Sequence, residues 1–426
     1  MSVIIPLYQL IAHPELTSFM QGLVGAMDLI GIMVGSTILG KLSDHYGYLF
    51  FFRFCPALVC VSAIVSLLFP SLSVLIICLF FMGFGIGGEY SLDSNYISQL
   101  MPTHWSFLMV GAAKAASALG NIGVAGVCFL MVRDWTSADL WPRLMWIMIV
   151  ISGLMLVLRI RFWQSPKWLL EKGRVAQAEK DVHHFLGPDV NVAIQDVSSK
   201  DAVTADASDL EHPKPKPGFW KRNWKNVIFT GVPWACEGLG VYGIGVFLPI
   251  LVMALGLEHI SAGETPLVHV DSSVKITLWI SCIILPGFIL GLALINHVDA
   301  AKIQWVGFLL SAGCLLVLLL AYDHHWPKWI SIIAFMAFEL FLNMGPHLIT
   351  YVLPPKVYPV SDRGLGSGIA ASLGKVGAVL GVFFIPVLLN AGGSSLVLIV
   401  SIIVMLVGGI VTFIFNPEKE KIAKQG

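Results

Sequence analysis

The apolar stretches of this chain carry a small set of ionisable and hydrogen-bonding residues at helical spacing. Glu89, Asp93 and Tyr96 fall at i, i+4 and i+7, and Glu339, Asn343 and His347 at i, i+4 and i+8, so each set shares a helix face. Trp234, Glu237, Gly238 and Tyr242 make a third stripe, and Lys114, Ser117 and Asn121 a fourth. Lys375 stands among small residues in "AASLGKVGA", and Asp28 is isolated in "GAMDLIG". An ionised group at bilayer depth is costly unless it faces a bundle interior or a partner, so each is a candidate for handling protons, ions or substrate. The acids Asp28, Glu89, Asp93, Glu237 and Glu339 favour proton binding or a cationic group, whereas Lys375 and His347 favour an anion. Glu89, Asp93 and Glu237 are the candidate proton-coupling residues, Glu89 first among them. No nucleophile and base pair, metal-ligand cluster or phosphate loop occurs, so neither an enzyme nor a cofactor or metal is expected.

These residues need long apolar helices to position them. Of 426 residues, 57% are hydrophobic and 12% charged, and mean hydropathy is +0.82, whereas soluble domains carry about 25% charged residues. The chain reads as an all-α polytopic membrane protein. Stretches near spanning length lie at about 19–41, 49–69, 73–97, 107–131, 140–161, 225–256, 272–295, 303–321, 327–350, 364–390 and 394–415. The apolar "MSVIIPLYQLIA" at 1–12 reads as the back half of a further helix, with mostly apolar residues expected upstream, and the total becomes twelve. Two pseudo-symmetric six-helix bundles are then expected at 1–161 and 225–426, joined by a linker at 162–224. That linker opens with one or two amphipathic helices and becomes Ser, Asp and Pro-rich. Eleven of the 26 basic residues lie from 161 to 225, which places the linker and both termini in the cytoplasm by the positive-inside rule. The zero net charge gives no reason to expect nucleic acid. The seven scattered cysteines read as small core residues.

The chain also repeats itself. "AASALGNIGVAGV" at 115–127 and "AASLGKVGAVLGV" at 370–382 share a framework of small residues. An offset of 254 residues places Asn121 on Lys375, Asp93 on His347 and Glu89 on Asn343, as in transporters built of repeated bundles.

"GKLSDHYGY" resembles the loop signature of the major facilitator superfamily, with Gly40, Asp44 and Gly47 in its fixed positions. "GFGIGGEY" resembles the motif of that superfamily's fourth helix, and "QSPKWLLEKGR" the one after its sixth. "NMGPH", "VYPVSDRGLGSG" and "AASLGKVGA" are similar to phosphate:proton symporters and their sugar-porter and organic-ion relatives. The resemblance implies two bundles rocking about a central site, in a multi-pass protein of the cell membrane that acts as a monomer on a small-molecule substrate and protons. It implies substrate contacts at Glu89, Tyr90, Trp234, Tyr242, His347 and Lys375, to which the polar stripes add Lys114, Asn121, Glu339 and Asn343. It also implies a gate at Gly40, Asp44 and Gly47, with Arg53 as the nearest base and Arg363 opposite. Two positions depart: the symporters' seventh-helix aspartate falls on Gly238, with Glu237 beside it about 100° away, and their tenth-helix asparagine is His347. The expectation is a proton-coupled secondary transporter of a small polar or organic ion, an anion slightly favoured. The alternatives are a cationic or zwitterionic substrate, and a sensor built on a transporter fold.

Overall fold

The computed structural model describes residues 18–134, 140–186, 218–244 and 282–417. The half-helix expected at 1–12, the linker from 187 to 217 and the residues from 245 to 281 lie outside the described residues.

Every regular element described is helical. The first five helices are α1 (Ser18–Tyr46), α2 (Tyr48–Leu68), α3 (Leu72–Leu100), α4 (Thr103–Asp134) and α5 (Leu140–Arg159). Short helices α6 (Pro166–Glu171) and α7 (Val175–Leu186) occupy the start of the expected linker. The later helices are α8 (Phe219–Gly238), α9 (Cys282–Leu294), α10 (Ala300–Asp323), α11 (Lys328–Met344), α12 (Pro346–Val352), α13 (Pro354–Val357) and α14 (Arg363–Ile414). Seven spans among the described residues are long and apolar enough to cross a membrane; they include α11 with α12, and α14 as two arms.

Local chemistry sets the breaks that matter for the site. Gly47 separates α1 from α2 with φ 91°, a conformation open to glycine. A Cβ there would also lie 2.1 Å from the Gln164 side chain, whose oxygen caps α2 by accepting the Tyr48 and Leu49 N–H groups at 3.2 Å. Gly345 and Pro346 divide the tenth span into α11 and α12, because proline removes a donor and favours the first turn of a new helix. Prolines 354 and 355 then open the short α13. Beyond Glu237, α8 continues as a π-helical turn, Leu239–Ile244, which carries Tyr242. The second arm of α14 begins after Gly392 and Gly393.

Helices α1 to α5 pack together, with Leu79, Met82 and Ala63 at their core. Helices α8 to α14 form a second group around Phe308, Phe338, Leu342 and Met405. Apolar residues such as Leu154, Val157, Ile403 and Ile410 remain exposed, as a lipid-facing surface requires. The two groups meet where α1 and α3 contact the first arm of α14, and where α4 contacts α12. Six cysteines among the described residues are free; Cys55, Cys78 and Cys236 are buried as expected of core residues, whereas Cys60 and Cys314 are half-buried and Cys282 is exposed.

Candidate transport site

Where the two groups meet, two buried lysines from opposite sides converge on one tyrosine. Lys114 of α4 is 9% exposed and Lys375 of α14 is 4% exposed. Both ammonium groups lie over the Tyr90 ring of α3, at 5.7 Å and 4.6 Å from its centroid. Lys375 donates to the Tyr242 hydroxyl at 2.6 Å and to the Tyr90 hydroxyl at 3.4 Å. Lys114 also faces Tyr351 of α12 at 5.7 Å. Among the described residues Lys114 has these ring faces and no hydrogen-bond or ion-pair partner. Trp234 completes the aromatic wall, with Tyr90 and Tyr351 each 6.3 Å from it centroid to centroid. Two ammonium groups thus sit among aromatic rings, and Lys114 has no ion pair within 4 Å among the described residues.

A polar chain runs along the second group of helices. His347 Nε2 lies 3.7 Å from Glu237 Oε1, and its Nδ1 lies 2.8 Å from Asn343 Oδ1. Asn343 donates to the Glu339 carbonyl at 2.8 Å and to its carboxylate at 3.2 Å. The helix break at Gly345 places His347 in the first turn of α12, one turn beyond Asn343 at the end of α11. The absence of an acid at position 238 has a steric cause: a Cβ on Gly238 would stand 2.2 Å from the Gly374 carbonyl oxygen. The carboxylate occurs one residue earlier, at Glu237, which is 2% exposed.

The remaining sequence candidates fall elsewhere. Glu89 is held on both oxygens by Arg159 of α5, at 2.5 and 2.6 Å, and Arg159 reaches Asp93 at 3.5 Å. Arg159 also donates to the Phe52 carbonyl and stacks 4.1 Å over the Phe52 ring. Tyr96 donates to the Trp163 carbonyl at 2.6 Å. Asp28, by contrast, stays within the field of Lys375: it is buried on α1 and accepts the Leu29 N–H at 2.8 Å. Ser117 turns back to the Lys114 carbonyl, and the Asn121 side chain lies outside the described residues.

The gate differs from expectation in its partner. Asp44 does not pair with Arg53; its two oxygens accept the Gly364 and Leu365 N–H groups, each at 2.8 Å, at the start of α14. A carboxylate complements the positive end of a helix and its unpaired N–H groups, which removes the need for a base. Gly40 permits this approach, because a Cβ there would meet the Gly364 carbonyl at 2.4 Å. Arg53 instead donates to the carbonyls of Arg159, Ile160 and Phe162, and Arg363 to that of Tyr358. Further along, Thr37 and Ser36 of α1 bond the Ser372 hydroxyl at 2.6 and 2.9 Å.

Sequence reasoning missed Arg159 and Tyr351. A base closing an apolar helix within one turn of the linker signals the former, and Tyr351, four residues after His347, continues the stripe of Glu339, Asn343 and His347.

A polar site assembled where two groups of membrane helices meet is the arrangement of transporters built from repeated bundles. The family described as "Sugar (and other) transporter" matches residues 7–422, and the chain belongs to that family. It is 27% identical over 412 residues to the inner membrane metabolite transport protein YgcS of Escherichia coli, covering 96% of this chain and 85% of that protein. It is 24% identical over 439 residues to the repressible high-affinity phosphate permease of Neurospora crassa, covering 92% and 76%. Among solved structures, the proton:xylose symporter XylE superimposes with a TM-score of 0.77 at 18% identity, over 97% of this chain and 90% of that one. The fold is that of the major facilitator superfamily, and the chain is a multi-pass membrane transporter rather than an enzyme.

Proposed function

We propose that this chain moves a small anion across the membrane, coupled to protons, by alternating access of its two bundles. The observation that carries the reading is the convergence of Lys114 and Lys375, from different bundles, on Tyr90. An anion between them is bound by both halves at once, so its occupancy bears on how the halves sit against each other. Tyr90, Trp234, Tyr242 and Tyr351 shape the cavity and donate hydroxyls. Glu89, Asp93 and Arg159 form an ion-paired brace within the first bundle. Asp44, Gly40 and Gly364 close the end of the molecule that carries α6 and α7, which the clustered basic residues of the linker assign to the cytoplasm.

Purified protein in liposomes tests the proposal, with sulfate, lactate, gluconate, xylose and choline as radiolabelled probes. Counterflow of at least one anion, accelerated by an inward proton gradient and lost in Lys375→Ala, is the expected result. Counterflow of choline or xylose alone contradicts the anion reading, and anion binding without counterflow identifies a sensor.

A further inference from the structure

The polar chain on the second bundle dictates where hydrogens sit. The Asn343 side-chain nitrogen faces the Glu339 carbonyl, which cannot donate, so the amide orientation is fixed. Its oxygen is then the atom 2.8 Å from His347 Nδ1, and Nδ1 must carry a hydrogen. In a neutral imidazole this leaves a lone pair on Nε2, which faces Glu237 Oε1 at 3.7 Å. A lone pair beside a carboxylate is repulsive, and one proton on either partner makes the contact attractive.

We propose that Glu237 and His347 form a one-proton site beside the anion site and couple the two ligands by sharing the same lysines. This rests on the anion reading above. The groups around the pair are Lys114 from α4, Lys375 from α14, Tyr90 from α3, Tyr242 from the turn after α8, Glu339 through Asn343 on α11, and the apolar Phe288 from α9. With the cavity empty, the Glu237 carboxylate is the countercharge in the field of both lysines. An arriving anion takes over the ammonium groups and leaves Glu237 with surplus negative charge. A proton from the water of the open side then binds the pair, so one anion and one proton enter together; a monovalent anion then leaves the cavity's net charge unchanged, and a divalent one such as sulfate leaves one negative charge for the second lysine to offset. Because binding free energies are reciprocal, each ligand tightens the other, and release on the far side runs the sequence backwards.

Calorimetry on the full chain in detergent tests this, with sulfate, lactate and gluconate in turn, anions that stay ionised between about pH 6 and 9. Wild type should show affinity falling roughly tenfold per pH unit on an alkaline limb. Buffers of different ionisation heat should report proton uptake approaching one per anion. Glu237→Gln, a neutral isostere of the protonated acid, should bind with no limb and no uptake, and His347→Gln should displace the limb along the pH axis. A flat wild-type profile, or a limb retained in Glu237→Gln, overturns the proposal. Should Glu237→Gln fail to fold, His347→Gln and Asn343→Leu decide, and a limb unmoved in both overturns it. If none of the three anions binds wild type, the anion reading falls and this proposal with it. Anion binding without proton uptake defeats only the coupling site.

Discussion

Gly238 and Glu237 show how one residue's surroundings reshape a site. The symporters' acid cannot stand at 238, because α8 and α14 touch there through Gly238 and the Gly374 carbonyl. Gly238→Asp, which restores the expected acid, should therefore destabilise the protein by about 1–3 kcal/mol, the usual cost of overpacking. A lowered melting temperature in detergent, with anion binding lost, is the expected outcome. An unchanged melting temperature would mean that the helices separate easily. The sequence made Glu237 visible as a candidate but not the reason for its shift, since the clash involves a residue 136 positions away. Lys114 and Lys375 were legible for a simpler reason: ammonium groups in apolar helices stand out wherever they point. Their meeting on Tyr90 was not legible, because it depends on how α3, α4 and α14 cross.

At the scale of elements, two pairings hold helices in register. The bidentate Arg159–Glu89 contact ties α5 to α3 in a largely buried setting. Removing one partner of such a pair strands a charge, so Arg159→Met should cost about 3–5 kcal/mol, and Arg159→Met with Glu89→Leu should recover much of that. Thermal unfolding of the single and double variants checks this; a double variant no more stable than Arg159→Met would assign the cost to Asp93 or to lost packing on Phe52. The second pairing joins Asp44 to the start of α14. Asp44→Ala removes two charge-assisted hydrogen bonds of roughly 1.5–3 kcal/mol each, enough to shift a two-state closure by about two to four orders of magnitude. Spin labels on the exposed Lys41 and Ser361 should then report a longer, broader distance distribution. An unchanged distribution would place the closure energy in the Ser36, Thr37 and Ser372 contacts instead. The loop motif made Asp44 legible but suggested a basic partner. Backbone N–H groups at a helix start leave no mark in side-chain sequence, which is why Arg53 drew attention in error.

For the molecule as a whole, apolar length, Lys and Arg distribution and the internal repeat pointed to two helical bundles, and the fold agrees. Composition alone left the sign of the substrate charge open, since acids outnumber lysines in the membrane. The structure alters that balance by pairing Glu89 with Arg159 and leaving Lys114 over aromatic rings with no ion pair within 4 Å among the described residues. The central claim is that Lys375 anchors the substrate and does not merely neutralise Glu237. Affinity for whichever of sulfate, lactate and gluconate binds wild type, measured in Lys375→Ala, Glu237→Gln and the double variant, tests it most directly. At a pH below the alkaline limb, where the Glu237–His347 pair already holds its proton, Lys375→Ala should lose at least about thirty-fold, equivalent to roughly 2 kcal/mol, and the double variant should lose the same. Wild-type affinity restored in the double variant would contradict it.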